Sequence, residues 1–393
     1  MELEDLAAFR TPSGEAALAA AADVAGADPL AAASALRARG FAPRLAAAAL
    51  TQALLRRKAV GKFGPAANAM LFSRTGLEQS TRGVVAARRA ARLAASGAES
   101  VADLGCGVGA DTIAFARAGL RVHAVDASPA STALVAHNVR ILGLSGLVRV
   151  STMDAMDTPL SEVDAVFCDP ARRTSSGRRV FDPRSYSPPW DFVVGLAARV
   201  PRTVLKLAPG IDHALLPSGA EGEWVSVDGD LVEAAAWCGP LASSPRRATV
   251  LRGEAHELTG SGLAVAPVAP PRRYLYDPDS AVVRAHLVAE FAAGVDGALA
   301  DPRIAYVYSS SAAPTPFARC YEVLERLPIA VKRMRVALRA LDVGSLTILK
   351  RGSAHDVEQL RHQLRLSGST SAVLALTRVD GEPAALLLRP ASG

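Results

Sequence analysis

Four acids stand at or near the ends of short apolar runs: Asp103, Asp126, Asp154 and Asp169. The first opens DLGCGVGADT, a D-x-G-x-G-x-G spacing with Gly105, Gly107 and Gly109 and a helix-like pattern directly behind them. Glycines there let the backbone turn sharply and approach a ligand closely, and a helix start offers unpaired N–H groups. The glycines alone also satisfy the dinucleotide fingerprint. Asp126 suits either kind of nucleotide cofactor, because a carboxylate at the end of the second run can take both ribose hydroxyls. Asp103 separates the two readings: it can face the ammonium group of an amino acid, whereas it would repel a pyrophosphate. Asp154, in TMDAMD, is spaced to accept a hydrogen bond from an adenine amino group. These residue types ask for an adenosine cofactor with an amino-acid end.

The fourth acid begins a different problem. CDPARRTSSGRR follows the apolar VDAVF, so Asp169 and Pro170 end a buried run and Arg172, Arg173, Arg178 and Arg179 follow at once. An acid at that place can meet the group to be modified, and the arginines can meet phosphates. The alternative is a solvated loop, or pairing with Asp182 and Asp191. Lys206, in VLKLAPG, ends a later apolar run and points either into the same cleft or out to solvent.

The elements that must position these residues follow from periodicity. SVADLG, RVHAVD, LVRVST, VDAVFCD and RTVLKLAP fit buried strands, and GADTIAFARAGL and SPASTALVAHNVRILG fit helices between the first three. Strands alternating with helices predict an α/β fold, a parallel, doubly wound, Rossmann-like sheet. Before it, residues 14–58 read as alanine-rich helices, with a start at Asp28-Pro29 and a stop at Gly40. From Glu223 to Leu258 two or three strands joined by turns read as an antiparallel edge. The proline-dense LAVAPVAPPRR reads as a linker, and beyond it DSAVVRAHLVAEFAAG predicts one helix before a smaller α+β unit. The expected organisation is a helical region over 1–78, the α/β domain over 79–262, a linker over 263–273 and a small domain over 274–393.

Composition sets the outer limits. The chain has 393 residues, is 50% hydrophobic and carries a formal net charge of +6. That charge suits an anionic partner, although only five of the 44 basic residues are lysine, a bias that GC-rich coding also produces. Four scattered cysteines and seven histidines form neither a disulfide framework nor a zinc pattern. No apolar run reaches the roughly eighteen residues of a spanning helix, and MELEDLAAFR lacks the order of a signal peptide, so a cytoplasmic protein without metal or membrane partner is expected.

Together these residues resemble the bacterial class I S-adenosylmethionine-dependent methyltransferases that bear a THUMP-like carboxy-terminal domain. The likeness rests on DLGCGVG, Asp126, Asp154, DPARR and LEQST, and on YLYDPDSAVVRAH, AYVYSS, LTILKRG and HDVEQLRHQLRLSG in the tail. It implies that Asp103, Gly105 and Gly107 hold the methionine part of the cofactor, Asp126 the ribose, and Asp154 with Ala155 the adenine. Asp111 would lie near the sulfonium, and Gln79, Gly109 and Ala127 complete the cofactor set. Asp169 and Pro170 would form the catalytic acceptor site. Methyltransferases acting on exocyclic amino groups often add a second proline and an aromatic there. Both are missing here, so stacking would fall to Arg172, Tyr186 or Trp190.

Carbon-5 methylation of a pyrimidine needs a thiolate. Cys168 reads as a small core residue and Cys106 belongs to the glycine loop, so nitrogen or oxygen methylation is expected. In related enzymes a THUMP domain grips the acceptor end of transfer RNA. The resemblance therefore implies an RNA substrate, transfer RNA first, with the arginines on its phosphates. KRMR (332–335), LKRG (349–352), RHQLR (361–365) and PRR (271–273) place further basic residues in the tail. A small-molecule or protein methyltransferase, or a cofactor-binding module without catalysis, are the alternatives.

Overall fold

The computed structural model describes residues 3–170 and 187–391. Two compact units divide the chain: Met1–Leu207 with Pro217–Gly219 and Ala236–Ala242, and Ala208–Leu216 with Ala220–Ala235 and Ser243–Gly393.

The first unit opens on six helices, α1 (Leu3–Ala8), α2 (Pro12–Val24), α3 (Pro29–Ala38), α4 (Pro43–Phe63), α5 (Arg74–Gln79) and α6 (Gly83–Ala95). A proline at the first helical position, a capping side chain or both start α2 to α5. The Asp28 carboxylate, for instance, accepts the Leu30 and Ala31 N–H groups at 3.0 and 3.2 Å. Small residues let these helices pack closely, and Ala17, Ala21, Leu36 and Ala49 share a core with Val108 of the glycine loop. Two amides fasten the segment after α4. Gln52 pairs with both backbone groups of Phe72 at 2.8 and 2.9 Å, and Asn138 does the same for Leu71 at 2.8 and 3.0 Å.

Then strands and helices alternate: β1 (Ser100–Leu104), α7 (Ala110–Arg117), β2 (Arg121–Asp126), α8 (Pro129–Ile141), β3 (Val148–Thr152), β4 (Ala165–Cys168), α9 (Trp190–Arg199) and β5 (Arg202–Leu207). The five strands lie in the order β3-β2-β1-β4-β5, every neighbouring pair parallel. This is the doubly wound sheet that the periodicity predicts. One expectation needs correcting: β3 is not buried, because it forms the edge of that order and none of its residues is fully covered.

The second unit carries β6 (Glu221–Val227), all but the last two residues of β7 (Asp230–Trp237), β8 (Arg246–Arg252) and β9 (Glu254–Gly260), in the order β7-β6-β8-β9. The expected antiparallel edge is partly wrong, since β6 and β8 run parallel and only the β8–β9 pair is antiparallel among the registers described. Next come β10 (Tyr274–Pro278), α10 (Ser280–Arg284), α11 (Val288–Gly294), β11 (Ala298–Leu299), β12 (Val307–Ser309), β13 (Ala318–Leu327), α12 (Val331–Ala340), β14 (Val343–Lys350), α13 (Val357–Leu364), β15 (Thr370–Val379) and β16 (Glu382–Pro390). Their strands form a seven-stranded sheet in the order β11-β12-β10-β13-β16-β15-β14. Alternation gives β15 two apolar faces: Leu374 and Leu376 pack with Met334, Leu338, Leu360 and Leu364 of α12 and α13, while Val373 and Ala375 pack with Tyr306 and Tyr308. The single helix expected over DSAVVRAHLVAEFAAG is two, broken where His286 takes a left-handed φ of 60°.

Candidate active site

The carboxyl ends of β1, β2 and β4 bring the acids together. Gly105 N–H and Cys106 N–H both donate to the Val125 carbonyl at 2.9 and 3.0 Å, and Asp169 N–H donates to the Leu104 carbonyl at 3.2 Å. A β-carbon on Gly105, whose φ is 93°, would meet the Asp169 carbonyl oxygen at 2.9 Å. Glycine is therefore what allows the loop after β1 to cross the end of β4. Asp126 holds the far side of that loop, its two oxygens accepting from Gly107 N–H at 3.0 Å and Ser128 N–H at 2.8 Å. Burial raises the Asp126 carboxyl above its ordinary range.

Asp103 is 1% exposed. Its Oδ2 accepts from the Thr112 hydroxyl, while Oδ1 is buried without a hydrogen-bond partner. Burial, and then the charge of Asp111, push its carboxyl up to about 8. A lone acceptor of this kind fits a cationic donor, and a β-carbon on Gly107 would meet nothing within 4 Å, so the loop has room beside it. These residues fit the amino-acid end of S-adenosylmethionine, whose sulfonium supplies an activated methyl group. Asp154 lies exposed after β3 with Oδ1 accepting from Met156 N–H at 2.8 Å. Ala155 is partly exposed, Ala127 is exposed, and Gln79 is exposed at the end of α5.

Beside Asp169, Lys206 turns inward, which settles its two readings. Its ammonium meets Asp169 Oδ2 at 2.6 Å and the Thr81 hydroxyl at 2.9 Å, and its side chain is 5% exposed against 25% for Asp169. Thr81 donates in turn to Asp111 Oδ2 at 2.6 Å. The other Asp111 oxygen pairs with Arg89, whose guanidinium lies 4.6 Å from the centre of the Phe167 ring. A chain of alternating charge thus runs Asp169, Lys206, Thr81, Asp111, Arg89, and each buried polar group has a partner of opposite character. Pro170 is buried beside it.

Spacing could not reveal Thr81, Arg89 or Thr112, because each works through a partner on another element. Lys62 was equally hidden: its ammonium donates to the carbonyls of Leu77, Glu78 and Ser80 at 2.7, 3.0 and 2.8 Å, pinning the end of α5. Gly76 of α5 lies so close to the glycine loop that a β-carbon there would meet Val108 Cγ1 at 2.3 Å. Arg172, Arg173, Arg178, Arg179 and Tyr186 lie outside the described residues; Trp190 is buried at the start of α9. Burial raises the Cys106 and Cys168 thiols well above their ordinary value, so neither is a ready thiolate. Among the described residues no group of three His, Cys, Asp or Glu could hold a metal, and no helix is long and apolar enough to cross a membrane.

Several basic residues of the tail have structural partners. Arg272 donates to the Asp296 carbonyl at 3.0 Å and Arg273 pairs with Glu322. Arg335 and Arg339 donate to the Gln363 and Arg365 carbonyls and so tie α12 to the end of α13. Lys332 and Arg333 are exposed on α12.

Comparison with known proteins agrees with this geometry. Residues 101–176 match a methyltransferase domain family, residues 318–390 a THUMP domain-like family, and residues 2–59 a domain of unknown function (DUF8688). Two Mycobacterium tuberculosis proteins, from strains CDC 1551 / Oshkosh and ATCC 25618 / H37Rv, are each 36% identical over 342 residues, covering 83% of this chain and 91% of theirs. Both are described as uncharacterized S-adenosylmethionine-dependent methyltransferases. The crystal structure of a candidate methyltransferase from Porphyromonas gingivalis W83 shares the fold, with a TM-score of 0.73, 22% identity, and coverage of 100% of this chain and 99% of that one. With a relative of that identity spanning most of its length, and with a glycine loop and carboxylates that fit the cofactor, the chain belongs to the class I S-adenosylmethionine-dependent methyltransferases with a THUMP-like carboxy-terminal domain.

Proposed function

We propose that this enzyme methylates structured RNA, transfer RNA first, at a nitrogen or oxygen that carries a hydrogen. The observation that carries the RNA reading is the THUMP domain-like match over residues 318–390 in the same chain as a methyl-transfer site. We assign the methyltransferase domain to 79–262 and the RNA-docking domain to 274–393, in a cytoplasmic enzyme. In this reading Asp103 with Gly105, Gly107 and Gly109 holds the methionine part of the cofactor and Asp126 the ribose. Asp154, Ala155 and Ala127 hold the adenine, and Gln79 and Asp111 close the sulfonium end. Arg172, Arg173, Arg178 and Arg179 would take phosphates beside the acceptor.

The acceptor side supplies the chemistry. Asp169, paired with Lys206, offers lone pairs only, so it selects an acceptor that donates an N–H or O–H. Accepting that hydrogen bond turns the acceptor's own lone pair toward the methyl carbon. In-line transfer then forms the nitrogen– or oxygen–carbon bond as the sulfur–carbon bond breaks, and the acceptor's proton leaves to Asp169 or to water. The raised thiols of Cys106 and Cys168 argue against a covalent carbon-methylation route. The test is transfer of labelled methyl from S-adenosylmethionine to bulk transfer RNA, ribosomal RNA, protein and metabolite pools. Label is expected in transfer RNA; label only in protein or metabolites would overturn the RNA reading.

A further inference from the structure

The second unit holds a stack of three rings that the methyl-transfer chemistry does not use. Trp224 is fully buried in β6, and its indole N–H donates to the Pro209 carbonyl at 3.1 Å. The His213 ring lies on it at 4.5 Å between centroids and 18° between planes, and the His286 ring lies on His213 at 3.9 Å and 15°. His213 Nε2 donates to the Arg284 carbonyl at 2.9 Å, which fixes that ring's tautomer and tilt. Burial, then the charges of His286 and Arg246, lower His213 to about 4, so its ring is neutral at physiological pH. His286 is exposed. The ladder thus runs from a buried indole to an imidazole at the surface.

The backbone at His286 makes this arrangement pointed. Leu287 N–H donates to the Val282 carbonyl and His286 N–H to the Val283 carbonyl at 3.0 and 3.2 Å, the bond pair of a Schellman motif closing α10. The residue at this position takes a left-handed conformation, here φ 60°, which glycine adopts freely and a β-carbon resists. The local fold therefore asks for glycine, and the chain carries instead a residue whose ring extends a stack. Five other described non-glycine residues also take a positive φ, so what sets His286 apart is that its exposed ring ends a stack of rings.

We propose that the Trp224–His213–His286 ladder is a stacking platform for an unpaired RNA base outside the methyl-transfer site. Stacking on a flat ring is open to any base, because every base has a π-face. Arg284 is exposed two residues before His286 and Arg246 brings a positive charge beside His213, so an adjoining phosphate meets favourable charge. This inference rests on the RNA reading above and adds to it a second contact with its own residue set.

The variant that tests it is His286→Gly, which relieves the left-handed strain and so preserves or raises the melting temperature. The probe is a single-stranded adenosine oligonucleotide carrying 2-aminopurine, titrated with the full-length enzyme. Stacking on the ladder quenches 2-aminopurine in the wild type. His286→Gly should abolish the quench and weaken binding about tenfold, and His286→Tyr should restore both. Equal binding and equal quenching by wild type and His286→Gly would overturn the platform while leaving RNA methylation standing. Absence of RNA binding by the wild type, with label appearing in transferred-methyl assays only outside RNA, would overturn both.

Discussion

Asp103 and Asp169 end neighbouring strands but are treated oppositely: Asp169 has Lys206 against it, whereas Asp103 keeps one buried oxygen without a partner. The raised Asp103 carboxyl gives a pH prediction whose sign follows from linkage. Its folded value, about 8, lies above its ordinary one. Its contribution to stability is therefore present below about pH 4 and lost as pH rises through 8. The melting temperature of the free enzyme should fall across that window, and Asp103→Asn should flatten the fall. A cationic cofactor end favours the ionised form, so binding between pH 6 and 8 should release a proton and tighten by up to roughly tenfold per pH unit. Calorimetry in two buffers of unlike ionisation enthalpy measures this; no buffer dependence would contradict it. Lys206→Met should leave Asp169 unpartnered and lower kcat about ten- to a hundredfold, with cofactor affinity changed less than about threefold. Single-turnover kinetics and calorimetry separate the two effects, and Lys206→Arg should recover part of the loss. The placement of Asp103, Asp126 and Asp169 at strand ends was legible in the sequence because each closes an apolar run. Thr81 was not, because its tie to Lys206 spans 125 positions of chain.

At the scale of elements, the turn after β1 carries the site. Gly105→Ala would set a methyl 2.9 Å from the Asp169 carbonyl at φ 93°. It should cost about 1–3 kcal/mol of stability, seen as a lower melting temperature, and reduce cofactor affinity together with it. A variant as stable and as tightly binding as the wild type would show that β1 and β4 do not need that approach. The parallel strands and the α3 boundaries were readable from runs, caps and prolines, because these are local signals. The break between α10 and α11 was not, since a histidine stands where a glycine would have announced it. β3 misled through composition, as its apolar residues line an edge. β13 escaped because it alternates irregularly, its burial shifting across the bulge between Val323 and Glu325.

For the whole molecule, a net charge of +6 is weak support for RNA binding, because several tail arginines are committed to carbonyls and carboxylates. The exposed Lys332 and Arg333 of α12 give a sharper expectation. Affinity for transfer RNA should fall steeply with salt, and replacing both by serine should reduce the log–log slope by about one to two. An unchanged slope would remove α12 from the RNA path. The central claim is that methyl transfer to RNA runs through Asp169. It is tested most directly by mass spectrometry of nucleosides from transfer RNA of cells lacking the gene, complemented with wild type or with Asp169→Ala. The account predicts one methylated nucleoside that is lost without the gene, restored by wild type and not restored by Asp169→Ala. A nucleoside profile unchanged by loss of the gene, or fully restored by Asp169→Ala, would contradict it.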